Sequence, residues 1–187
     1  MAITKSIGLL ALVLLALPSW AMVKEKADHR PMDEMQGNCE NFAMDLSGEM
    51  RAWEAPAIPL EAGRDLTSRT PLSTNKRIAF KLHPNKETKF LVKPEKSFPT
   101  KSPYAGIGLF RPMDTGIYRV SLGQKVWFDL IDKRTGEVVP AKKFEMQTKC
   151  DKVFKAVEYV LQADKDYFVQ VSSSPKPTVD LIFKRAY

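Results

Sequence analysis

Few side chains in this sequence combine the type and spacing that chemistry needs. The most suggestive group lies in residues 116–132, GIYRVSLGQKVWFDLID, where Trp127 and Asp129 alternate along an apolar run and Tyr118 precedes them. An aromatic face beside a carboxylate and a phenol suits a sugar site, because the ring stacks and the polar groups orient. A second group is HRPMDEM, in which His29, Met32 and Met35 follow at three-residue spacing. Thioethers and an imidazole are soft ligands that suit Cu(I). A third is KPEKSFPTKSP, residues 93–103, where Lys93, Lys96 and Lys101 flank Phe98 and would grip an anionic partner.

Catalysis is disfavoured on the same inventory. The two histidines are His29 and His83, and an iron site of two histidines and a carboxylate would need both. There is no Gly-x-Ser-x-Gly elbow, no His-Glu-x-x-His and no phosphate-binding glycine loop. Asp129 and Asp132 fall on opposite faces of one strand. Asp164 and Asp166 fall in a turn, and two acids make an incomplete calcium shell. A hydrolase or dioxygenase is therefore the third reading, and no catalytic residue and no cofactor is assigned.

The elements that must position these groups follow from pattern. Lys5, the apolar run Ile7–Leu17 and the small residues Ser19 and Ala21 form a processing signal over residues 1–21. It directs the chain to a bacterial periplasm or outside the cell. Residues 22–37 lack a period and read as a flexible tail, and residues 38–187 read as one domain. Cys39 and Cys150 are two cysteines in an oxidising compartment, which predicts one disulfide. The formal charge of +7 is concentrated in residues 76–101, which hold 8 Lys and Arg against 2 Asp and Glu. Such a stripe attracts polyanions, of which nucleic acid is the least suited to an exported protein.

Asn38 reads as an N-cap, and Phe42, Leu46, Met50 and Trp53 share one face of a helix over about 40–53. Pro56, Pro59, Gly63 and Pro71 mark residues 54–76 as an extended connection. From Ile78 onward short alternating runs, Phe90 and Val92 among them, are separated by turns. That pattern predicts an antiparallel β-sandwich or jelly roll. A Gly123-Gln124 turn would pair Tyr118 with Asp129 across a hairpin, so that a Tyr-Asp hydrogen bond satisfies a buried carboxylate. The helix would cover the outer face.

The phrases GIYRVSLGQKVWFDLID and ADKDYFVQVSSSPKPTVDLIF resemble small exported bacterial β-sandwich domains, including the pre-peptidase C-terminal type, over the last 80 or so residues. The resemblance implies a jelly-roll-like fold and a binding or accessory role, and it carries over no functional residue. The leading expectation is a non-enzymatic periplasmic or secreted protein, monomeric or weakly associated, that binds a glycan, an envelope polymer or a protein. The alternative is copper handling by the tail.

Overall fold

A computed structural model describes residues 28–29, 32–67, 70–94 and 103–186. The expected processing signal lies outside the described residues. The strands are β1 (Asp28–His29), β2 (Ile58–Glu61), β3 (Pro71–Leu72), β4 (Ile78–Lys81), β5 (His83–Pro84) and β6 (Tyr104–Phe110). They continue with β7 (Gly116–Leu122), β8 (Trp127–Asp132), β9 (Lys143–Met146), β10 (Lys155–Leu161), β11 (Tyr167–Ser174) and β12 (Thr178–Arg185). Seven of them form one sheet in the order β1-β9-β10-β7-β12-β4-β2, and β3-β6-β11-β8 form the other, with β5 joined to β6. Pairing is antiparallel except for β1 with β9, β2 with β4 and β3 with β6. The result is a mainly β, sandwich-like fold that has, among the described residues, one α-helix, α1 (Ser47–Glu54), and short 3-10 turns.

Period-two alternation built the core. Val120, Leu122, Val157, Leu161, Leu181 and Phe183 of the larger sheet meet Phe110, Leu130, Val169 and Val171 of the smaller one. Phe110 and Phe183 stack across the gap with centroids 4.2 Å apart. Both outer faces carry lids, which explains why so many strands are apolar on both sides. On the larger sheet, Leu46 and Trp53 pack with Val153, Ala156 and Ile182. On the smaller, Ile107, Ile131 and Phe168 are covered by Leu66, Leu91 and Val92.

The expected hairpin does not exist. β7 hydrogen-bonds to β10 and β12, whereas β8 lies in the opposite sheet beside β11. Residues 123–126 cross between the sheets. Gly123 is required by packing rather than by a turn, since a Cβ there would sit 2.9 Å from Trp53 Cζ2 and 3.3 Å from the Lys152 carbonyl. Tyr118 therefore never faces Asp129. Its hydroxyl donates to the Asp114 carbonyl at 3.1 Å.

The other differences are local. Phe90 and Val92 form a covering loop rather than a strand. It is tied to β11 by Gln170, whose Oε1 accepts from Leu91 N and whose Nε2 donates to the Val92 carbonyl. The 54–76 connection contains β2 and β3, and their prolines sit on edge strands where no ladder donor is missed. Asn38 caps a 3-10 turn at Cys39–Asn41, and the α-helix begins only at Ser47. Phe42 still joins the helix's cluster, so the apolar stripe survives in a shorter helix.

Of the segment expected to be a flexible tail, residues 28–29 and 32–37 are described, and they are docked on the domain. β1 pairs with β9, and Met35 is buried. Thr148 N donates to the Met35 carbonyl, and Lys149 N to that of Gly37. The buried amide of Gln147 donates to the Glu34 and Asn41 carbonyls and accepts from Gly37 N. Glu145 Oε2 accepts from Ala43 N and Met44 N. The Cys39–Cys150 disulfide fastens the same junction. No helix among the described residues is long and apolar enough to cross a membrane.

Candidate binding cleft

At one side of the sandwich the two sheets do not close on each other. β8 is the edge of the smaller sheet, and β9 and β10 form the facing margin of the larger one. Residues 138–141 run beside β8, bridging Val138 to Ile131 and donating from Val139 N to the Leu130 carbonyl. Between these margins lies a cleft of about 360 Å³, a volume within the range of small-ligand sites. Its walls are mostly apolar, with Phe128, Leu130, Phe144 and Val157 joined by the 138–141 segment. Lys155 and Tyr159 are the polar side chains that face into it, whereas Trp127 and Asp129 border it from the outer face of β8, the side that carries Ile131 and the covering loop.

Trp127 and Asp129 share a side of β8 because they are two residues apart. Trp127 Nε1 donates to Asp129 Oδ1 at 3.0 Å, and Gln170 Nε2 donates to Oδ2 at 3.2 Å. The carboxylate is buried, with 8% of its residue surface exposed. Gln170 thus holds both the carboxylate and the covering loop. The aspartate in the apolar strand is satisfied as a buried acid must be, by Trp127 and Gln170 rather than by Tyr118. Asp129→Asn should lower stability by about 1–3 kcal/mol in urea unfolding, because an amide nitrogen would face one of these donors.

Lys155 opens β10 in phase with Val157, Tyr159 and Leu161, the residues that face the core. Its Nζ donates to the Val126 carbonyl at 2.8 Å. Burial of the amine end pushes its pKa down from 10.5 to about 8, and the Asp129 charge pulls the other way. Burial, with the same charge as a lesser cause, pushes the Tyr159 phenol up, so it stays neutral. The unfolded chain therefore binds more protons than the folded one between about pH 8 and 10.5, and stability from this group rises across that window. Lys155→Met should raise stability by about 1–2 kcal/mol at pH 7, net of the lost hydrogen bond. The advantage should shrink from pH 8 to 10.5 in a series of denaturant titrations.

The structure brings together two of the sequence candidates, Trp127 and Asp129. Tyr118 lies apart from them. Lys93 is exposed, on the chain beyond the covering loop. Lys96, Phe98 and Lys101 lie outside the described residues. Of the tail group, His29 belongs to β1, Met32 to a 3-10 turn and Met35 to the interior. The side chains of His29 and Met32 lie outside the described residues as well. Buried His83 is remote from the cleft, with Nε2 2.7 Å from the Ala62 carbonyl. Cys39, Cys150 and Asp151 cluster closely, but the two sulfurs are bonded to each other and are not thiolate ligands.

Lys155 and the 138–144 wall were missed from sequence. A lysine in the core phase of an alternating strand was the available signal for the first. Nothing local signalled the second.

No family model matches the chain, and no curated protein matches it. Among solved structures, a β-glucosidase from Kluyveromyces marxianus in complex with glucose aligns at 23% identity and a TM-score of 0.32. The alignment covers 52% of this chain and 12% of that one. So loose a superposition carries no weight for fold or chemistry.

Proposed function

We propose that this chain is a non-enzymatic binding or accessory protein of the bacterial periplasm, and that its ligand is a glycan of the cell envelope bound at the outer face of the edge strand β8. The observation that carries this reading is the Trp127–Asp129 pair on that strand. The indole is oriented by its own hydrogen bond to a carboxylate that a second donor, Gln170, also fixes. A fixed ring offers a stacking face at little further entropic cost, and a fixed carboxylate accepts from sugar hydroxyls. The export signal and the disulfide suit an oxidising compartment.

The test is calorimetric titration of the exported, oxidised protein against a panel of envelope oligosaccharides. At least one should bind. Trp127→Ala should weaken that binding by about tenfold or more in a protein that still unfolds cooperatively. Binding that is indifferent to Trp127, or a panel with no ligand, would refute the reading.

A further inference from the structure

The gap between the sheets is a second surface, on the opposite side of β8 from Trp127 and Asp129. Alternation along β8 points Phe128 and Leu130 between the sheets, toward Val157 and Tyr159 of β10. These side chains are buried, but the rim that continues from them is not. The run Val138-Val139-Pro140-Ala141 carries no charge. Val138 is 48% exposed, and Val139, Ala141 and Phe144 pack on the core while only partly buried. Apolar side chains in a row along an opening mark surface that a partner covers. The space behind them, about 360 Å³, lies at the lower end of small-ligand sites. It has room for one alkyl chain and not for a two-chain lipid.

The charge facing this space is of one sign and sits at one end. Lys155 opens β10 in phase with Val157 and Tyr159 and is half-buried. Its Nζ donates to the carbonyl of Val126, where the chain crosses between the sheets. That bond uses one of the three donors of an ammonium. The acids nearby point elsewhere. Asp129 lies on the outer face of β8, held by Trp127 and Gln170. Glu145 and Glu158 lie on the outer face of the larger sheet, where they accept from Ala43 N and from Arg119. Burial keeps the Tyr159 phenol neutral.

We infer that the gap between the sheets binds a single-chain fatty acid, its carboxylate on Lys155 Nζ and its alkyl chain between Phe128 and Leu130 of β8 and Phe144 and Val157 of the larger sheet. A single cation at the end of an apolar space complements an amphiphile with one anionic end. The carboxylate gains a charge-assisted hydrogen bond, and the alkyl chain removes the exposed rim from water. This site does not rest on the glycan reading, which uses the other side of β8.

The test is calorimetric titration of the exported, oxidised protein with hexanoate, octanoate and decanoate below their micellar concentrations. Binding should be one-to-one and should tighten about fourfold with each added methylene. Octanoate should bind about tenfold more tightly than 1-octanol, and Lys155→Met should bring that ratio close to one. Ala141→Trp, which places an indole in the opening, should weaken decanoate about tenfold or more. Val139→Trp serves the same purpose should Ala141→Trp fail to unfold cooperatively in urea.

A protein that binds no alkanoate, an affinity that ignores chain length, or one that survives the blocking substitution overturns the inference. So does 1-octanol binding as tightly as octanoate, or a preference for octanoate that persists in Lys155→Met, because the cation would then play no part. The glycan reading depends on Trp127 and is untouched by any of these results.

Discussion

Arg119→Met should cost about 3–5 kcal/mol of stability at neutral pH, because it leaves two buried carboxylates without their cation. Arg119 lies on the outer face of β7, beneath α1. Its Nε and Nη2 donate to Glu158 Oε1 at 3.1 and 2.7 Å, and its Nη1 donates to Glu49 Oε1 at 3.0 Å and to the Asp45 carbonyl at 2.6 Å. Glu158 is its ladder partner on β10, whereas Glu49 arrives from the first turn of the helix. The three side chains are 5%, 2% and 1% exposed. Burial works against the guanidinium's charge, but the Glu158 hydrogen bonds and the two carboxylates outweigh it and hold its pKa above the ordinary arginine value.

A charged cluster of this kind is costly to break and cheap to replace whole. The combination Arg119→Met, Glu49→Gln, Glu158→Gln should therefore recover most of what the single change loses. Urea midpoints at constant slope measure both. Trp53 packs in the same helix cluster, so its emission should shift to the red in Arg119→Met if the helix lifts from the sheet. A loss below about 1 kcal/mol would mean that the apolar stripe alone seats the helix and that the cluster contributes specificity instead.

Removing the disulfide should cost a similar amount by a different route. Cys39 and Cys150 are 111 residues apart, and closing a loop of that order restricts the unfolded chain by about 4–5 kcal/mol in the loop-entropy account. Cys39→Ser with Cys150→Ser should lower the urea midpoint accordingly while leaving the near-ultraviolet circular dichroism of the native state almost unchanged. The junction is held in any case by Gln147, Glu145 and the backbone bonds to Met35 and Gly37. An altered native spectrum would instead mean that the bond holds the folded docking of residues 34–46. Arg119 and the disulfide secure neighbouring parts of one lid, so their losses should not add simply.

The cleft was half legible in the sequence. Trp127 and Asp129 were singled out because their two-residue spacing puts them on one side of any strand, whatever that strand pairs with. Tyr118 was added by a register argument that assumed β7 and β8 were neighbours, and it dropped out when they proved to lie in opposite sheets. Gly123 invited that error, since a glycine before Gln124 looks like a turn, whereas its lack of a Cβ makes room for Trp53. Lys155 was not legible there, because a lysine in a strand is usually on the solvated face.

What the sequence determined by itself is therefore everything set by covalent spacing. That includes the strand character of residues 104–110, 116–122 and 127–132, the faces that alternate inward, the apolar stripe from Phe42 to Trp53, and two cysteines available for one bond. What only the tertiary structure decided is which strand lies beside which, and so which polar groups meet. Period-two alternation fixes the side of a strand a residue occupies, but it carries no information about the sheet that strand joins. Arg119 meets Glu49 and Glu158, and Lys155 comes to face a cleft that Asp129 borders, through contacts between segments distant in the chain. Those contacts are chosen by the packing of the whole core, because burying both faces of the strands at once leaves these charged groups only a few places in which they can be paired.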